Sequence, residues 1–143
     1  MTFRASPSDR GGAAERQASV EYRLVRDTLV RDVRRGRVSV DQVCDAHPEL
    51  LRAARHVGVA LGAACPICED ARVVQITYVF GAGLPAGGRC PGNARELDRL
   101  RRGSTEVTCY DVEVCPGCSW HHLLRKYPAG GGARGAGRAG RRA

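Results

Sequence analysis

Lysine is almost missing from this sequence: of 23 basic residues only Lys126 is lysine, and the rest are arginine. Aromatic residues are sparse as well, with one Trp and two Phe. The bias toward Arg, Ala and Gly points to a GC-rich bacterial genome and says little about function. No apolar run approaches the ~18 residues of a membrane-spanning helix, so no membrane partner is expected. Met1–Gly12 is polar and lacks the apolar centre of a secretory signal, which predicts a cytoplasmic protein. There is no nucleophile elbow, P-loop or dinucleotide fingerprint, and the glycines around Gly87-Gly88 lack the strand-then-helix spacing of a phosphate loop. No small-molecule substrate is evident and no catalytic residue is assigned. An odd count of seven Cys in a cytoplasmic chain argues against a disulfide framework and for metal thiolates plus ordinary buried thiols.

What is present is two pairs of cysteines, Cys65-Pro66-Ile67-Cys68 and Cys115-Pro116-Gly117-Cys118. Each pair has two residues between its thiols and proline after the first Cys. A single pair of this kind is shared with redox motifs. Two pairs supply four thiolates, the full tetrahedral shell of one structural Zn²⁺. The tight turn lets a short loop present two sulfurs to one metal while backbone N–H groups bond them. Four protein ligands leave no open position for water or substrate, so the site reads as scaffold and the protein as no enzyme. Forty-six residues separate Cys68 from Cys115, far more than the roughly 15–20 of compact two-knuckle sites. The zinc therefore closes a long loop that must hold strands and an insertion.

Along the chain, residues 1–15 are rich in Ser, Pro, Gly and Ala and read as a disordered tail. A helix is predicted from Arg16 to Arg35, with Tyr22, Val25, Leu29 and Val33 on one face and Gly36 as its C′ residue. Ser39 and Gln42 have capping-box spacing for a second short helix, with Val40, Val43 and Cys44 inward. Pro48 opens a third helix to Val57, carrying Leu50, Leu51, Ala54 and Val57, and Gly58 ends it. These helices form a segment over 16–58. Residues 59–128 form a zinc-ribbon-like region in which Val59–Ala64 leads into the first knuckle. Arg72–Phe80 is a strand with Val74, Ile76, Tyr78 and Phe80 on one face. Asn93 caps an inserted helix at 93–102 bearing Leu97 and Leu100. Glu106–Val114 is a strand with Tyr110, Val112 and Val114 on one face. Ser119–Tyr127 is a third strand, with a helix as the alternative. Residues 129–143 are a disordered Gly/Arg tail.

The formal charge is +8, but the two tails carry most of it and residues 15–128 hold only +3. Nucleic-acid binding is thus allowed rather than demanded. Its candidate contacts are Arg134, Arg138, Arg141 and Arg142 in the tail, together with the Arg-rich first helix; the bland alternative is a solvated tail. Trp120, His121, Arg125 and Lys126 form an aromatic-basic stretch that would contact a partner if exposed, whereas a buried Trp120 would cap the ribbon core. His121 and His122 are redundant as ligands beside four cysteines. His47-Pro48-Glu49 ahead of Cys65 and Cys68 echoes the H-x-E…P-C-x-x-C pattern of zinc deaminases. The echo fails because Ala64 precedes Cys65, because His47 opens a helix, and because Cys115 and Cys118 go unused. Cys44 reads as a small core residue, Cys109 lies in a strand, and Cys90 sits in the Gly-rich loop.

Taken together, Val43-Cys44-Asp45-Ala46-His47-Pro48-Glu49-Leu50-Leu51-Arg52-Ala53-Ala54, the first cysteine pair, Tyr78-Val79-Phe80-Gly81 and Val112-Glu113-Val114-Cys115-Pro116-Gly117-Cys118-Ser119-Trp120-His121-His122-Leu123 resemble a family of small actinobacterial proteins known only as a domain of unknown function. The resemblance covers about residues 19–127. It implies a cytoplasmic four-cysteine zinc protein and no assigned activity. Cys90 and Cys109 fall outside the family's pattern. Cys44 falls within it, which leaves a role beyond packing open.

The expected fold is α+β: short N-terminal helices packed on a three-stranded antiparallel zinc ribbon, with disordered termini. The expected function is a non-enzymatic protein-interaction module with one structural Zn²⁺ and an unknown protein partner, transcription-associated by fold-level analogy. A nucleic-acid-binding protein and a redox-sensitive zinc-thiol switch are the alternatives.

Overall fold

The computed structural model describes residues 19–131 of the 143-residue chain. In chain order the elements are β1 (Val20–Glu21), α1 (Arg23–Arg34), α2 (Val40–Val43), α3 (Pro48–Val57), β2 (Val59–Ala64), β3 (Arg72–Gly81), α4 (Ala94–Arg102), β4 (Glu106–Val114) and β5 (His121–Gly130). The five strands make one antiparallel sheet in the order β1-β5-β4-β3-β2. The three expected strands are its centre, and β1 and β2 extend it to five. Four of the six residues in Val59–Ala64 are Ala or Gly, which have weak strand preference, yet the segment pairs with β3 through Val59–Gln75, Ala60–Val74 and Ala64–Arg72. The pairing is irregular between Ala60 and Ala64, where Gly62 has φ +74°. No helix among the described residues is long and apolar enough to cross a membrane.

The chain divides into two compact units. The first comprises residues 21–76 and 111–125. Its core joins Val30 of α1 and Val43 of α2 to Cys65, Val73, Cys115 and Trp120, with Leu29, Val33, Val38 and Cys44 packed against them. Residues 16–18, where the first helix was expected to begin, lie outside the described residues. The helix starts at Arg23 because the Tyr22 N–H donates to the Leu124 carbonyl (2.9 Å), holding the preceding backbone on β5. Val30 is its buried residue and Val25 is 42 % exposed, so the apolar face is rotated from the expected stripe. The helix ends as predicted: Gly36 has φ +78°, a left-handed conformation that glycine adopts without steric cost, and donates to the Val33 carbonyl at 3.0 Å. In α2, Val43 is buried but Val40 is exposed, a correction to the expected inward set. Pro48 opens α3, and His47 Nδ1 accepts from the Glu49 N–H at 3.0 Å.

The second unit holds residues 77–110 and 126–131 of the described chain. Val79, Val107 and Cys109 are its core, covered by Leu84, Leu97, Leu100, Tyr127 and Ala129. Asn93 Oδ1 accepts from the Glu96 N–H at 2.8 Å and so caps α4, whose Leu97 and Leu100 face that core. β5 runs on to Gly130, past the expected end at Tyr127.

The sequence reading left open which strand faces are buried. In β3 the buried residues are Val73, Ile76 and Val79, so of the face read from sequence only Ile76 is buried, while Val74, Tyr78 and Phe80 are half-buried. In β4 they are Val107, Cys109, Asp111, Glu113 and Val114, while Tyr110 and Val112 are only half-buried. Two carboxylates occupy the buried face because each has an arginine partner. Arg125 Nη2 lies 3.1 Å from Asp111 Oδ2. Arg26 forks onto Glu113, with Nε 2.5 Å from Oε1 and Nη2 2.9 Å from Oε2.

Candidate metal centre

The two cysteine pairs sit at the same kind of turn. After Cys65, the Glu69 N–H donates to the Cys65 carbonyl (2.9 Å), and Cys65 N–H donates to the Ala71 carbonyl (2.8 Å). After Cys115, the Ser119 N–H donates to the Cys115 carbonyl (3.0 Å), and Cys115 N–H donates to the Trp120 carbonyl (2.8 Å). Glu69 and Ser119, each four residues past the first Cys, have φ +59° and +74°. This left-handed step turns the chain back toward its own start. It also aims backbone N–H groups at sulfur: Ile67 and Cys68 donate to Cys65 Sγ at 3.3 and 3.5 Å, and Cys118 donates to Cys115 Sγ at 3.4 Å.

The Sγ atoms of Cys65, Cys68, Cys115 and Cys118 all lie within 4.8 Å of one another. Four converging thiols from the two turns could hold a metal ion. Gly117 permits the approach, since a Cβ there would stand 2.7 Å from the Ala71 Cβ. Arg34 Nη2 donates to the Pro66 carbonyl at 3.1 Å, fastening α1 to the first turn. The Ala46 N–H donates to the Ser119 carbonyl at 3.1 Å, fastening the segment after α2 to the second.

The electrostatics favour a cation. Burial pushes the Cys65 and Cys118 thiols up to about 12. At Cys68 the N–H groups of Ala71 and Asp70 pull the thiol down to about 7. Thiolates packed this closely away from water repel each other and lose hydration, so a bound cation is what would let the whole set ionise.

The other candidate residues lie elsewhere. Neither His121 nor His122 belongs to the four-sulfur cluster. His121 Nε2 is 3.0 Å from Asp45 Oδ1, while His122 stacks on Trp120 with centroids 5.8 Å apart. Trp120 is fully buried and its Nε1–H donates to Glu113 Oε2 at 3.2 Å, which removes it from any contact surface. Arg125 is paired with Asp111, and Lys126 Nζ lies 5.7 Å from the Tyr110 ring centroid. His47 serves as the cap of α3, so the deaminase-like arrangement does not form. Arg134, Arg138, Arg141 and Arg142 lie outside the described residues.

One residue gains a place that sequence reading left open. Cys44 Sγ is 3.5 Å from Cys118 Sγ, so a fifth thiol touches the cluster. Burial pushes the Cys44 thiol above its ordinary range, and its sulfur points at Cys118 as a donor. The signal available in the sequence was its place in the family pattern.

Residues 13–143 match the model of a family described as a family of unknown function, DUF5318. The chain belongs to this family. Three relatives, the uncharacterized proteins Rv0049 and MT0055 of Mycobacterium tuberculosis and Mb0050 of Mycobacterium bovis, are each 40 % identical to it over 111 residues. The match covers 78 % of this chain and 81 % of each relative. Their source agrees with the actinobacterial resemblance. No solved structure matches the chain.

Proposed function

We propose that Cys65, Cys68, Cys115 and Cys118 hold one structural zinc ion, and that the fold it closes is a non-enzymatic protein-interaction module. The spacing of the sulfurs carries the metal reading. Four sulfurs about 2.3 Å from a tetrahedral zinc would stand about 3.8 Å apart. The Cys65–Cys118 and Cys68–Cys115 separations are 3.7 and 3.8 Å. The cluster also lies inside the core of the first unit, where Cys65 and Cys115 pack with Val30, Val43, Val73 and Trp120. Removing the ion would leave that core around unneutralised or protonated thiols. Four sulfurs complete the shell, so the site anchors structure and leaves no position for a substrate. Elemental analysis tests this: one zinc per chain supports it, and iron, which also accepts four sulfurs, would contradict it.

The interaction reading draws on β2. This strand ends the sheet order, all six of its residues are exposed, and none is charged. Val59 is 66 % exposed and Leu61 37 %. Open strand edges are usually blunted by charge or proline, so an apolar one suits a partner. Comparing Val59→Lys/Leu61→Lys with the unaltered protein in affinity capture tests it. Loss of the captured species supports a docking edge, and unchanged capture contradicts it.

A further inference from the structure

We infer that Cys118 is an oxidation site and Cys44 its resolving thiol, so that a peroxide turns the pair into a disulfide and takes one ligand from the metal. The inference rests on the metal reading above. The Cys44–Cys118 separation of 3.5 Å is shorter than the 3.7 and 3.8 Å between cluster sulfurs, yet Cys44 is outside the four-sulfur set. It is therefore a sulfur that a complete tetrahedral shell does not use. Two further contacts hold it there: the Ala46 N–H on the Ser119 carbonyl at 3.1 Å, and His121 on Asp45 at 3.0 Å. They flank Cys44 on one side and Cys118 on the other.

Access and connectivity single out this pair. Cys65 and Cys115 are buried, while Cys68, Cys118 and Cys44 are half-buried. An oxidant therefore reaches Cys68 or Cys118 before the other ligands. Cys68 Sγ lies 3.8 Å from the sulfur of Cys115, itself a ligand in the metal reading. Cys118 has beside it a thiol the metal does not need. A disulfide within either cysteine pair strips two ligands at once, whereas a Cys44–Cys118 disulfide strips one and leaves Cys65, Cys68 and Cys115 in place. The two sulfurs must close from 3.5 Å to about 2.05 Å.

The chemistry balances with a peroxide as oxidant. The Cys118 thiolate attacks the O–O bond; an S–O bond forms, the O–O bond breaks, and hydroxide leaves. Cys118 is then a sulfenic acid. The Cys44 sulfur attacks the Cys118 sulfur; the S–S bond forms, the S–O bond breaks, and the departing hydroxide leaves as water with the Cys44 proton. Two electrons pass from the two sulfurs to the peroxide. The metal, left with three sulfurs and an open position, is released more easily.

The test is a hydrogen peroxide titration of the full-length protein after its metal content has been measured, followed by thiol blocking and peptide mapping. Cys44→Ser is treated alongside in the presence of dimedone, which traps sulfenic acid. The unaltered protein should form the Cys44–Cys118 disulfide first and release about one equivalent of metal per disulfide. Cys44→Ser should hold as much metal before oxidation and give a dimedone adduct at Cys118. A first disulfide within Cys65–Cys68 or Cys115–Cys118, or a variant unmodified at Cys118, would overturn the inference. A protein that carries no metal contradicts the zinc reading instead. The disulfide map then still decides this one, with Cys44–Cys118 supporting it and any other pairing, or none, overturning it. The map of the unaltered protein stands even if the variant does not fold.

Discussion

Replacing Arg26 with methionine leaves a carboxylate stranded. Glu113 is 3 % exposed at its side chain and Arg26 22 %, and the guanidinium meets both carboxylate oxygens. In Arg26→Met the remaining partner is the Trp120 Nε1–H at 3.2 Å. Breaking a buried pair by removing one partner costs about 3–5 kcal/mol. Because one edge of Arg26 reaches solvent, we expect the low end, about 3 kcal/mol. With a urea slope of about 2 kcal/mol per M, the unfolding midpoint should fall by about 1.5 M. Urea denaturation at matched metal loading, followed by Trp120 fluorescence, reads this directly. Arg26→Met/Glu113→Gln removes the stranded charge but keeps an acceptor for Trp120. It should recover about half of the loss, since neutralising both members of a buried pair is far milder than deleting one. A single variant costing under about 1 kcal/mol, or a double variant no more stable than the single, would refute the reasoning. The pair would then behave as a solvated surface bridge.

Two further outcomes follow from the geometry. Gly117→Val places a side chain where a Cβ alone would sit 2.7 Å from the Ala71 Cβ, so the two cysteine turns should part. Competition with a chromophoric chelator should show weaker metal retention, and urea unfolding a loss of about 1–3 kcal/mol; unchanged retention would contradict the close approach. Glu96 is held below the usual carboxylate range by the Gly92 N–H and by Arg89. Its contribution is present above the ordinary glutamate pKa and is lost as pH falls through the lowered folded value. Hydrogen-exchange protection in α4, taken relative to the intrinsic exchange rate at each pH, should fall on acidification through that window, and Glu96→Gln should abolish the acid step. An identical acid step in both proteins would contradict the assignment.

Local signals carried well from sequence to structure. The two cysteine pairs, the Pro48 helix start, the Asn93 cap and Gly36 are all decided by neighbours within a few residues, and each stands where its chemistry put it. The misread features depend on distant partners. Alternation put Tyr110, Val112 and Val114 on one face of β4, but it could not show that Asp111 and Glu113 on the other face are buried, because that depends on Arg125 and Arg26, which neutralise them. Arg26 lies 87 residues from Glu113, so no local pattern announces the pair. The strand β2 escaped notice because pairing with β3, not the preference of Ala and Gly, makes it extended. The Cys44 contact was hidden for the same reason, since a segment 74 residues from Cys118 brings its sulfur to the cluster.

The most direct measurement of the central claim is elemental analysis of protein purified without added metal, alongside Cys65→Ser and Cys115→Ser. One zinc per chain, lost in both variants together with the fold, is the result predicted for a single ion joining the two turns. Binding of that kind supplies on the order of 10–16 kcal/mol to folding. Zinc retained in Cys115→Ser but absent from Cys65→Ser, or a folded chain that carries no metal, would contradict it.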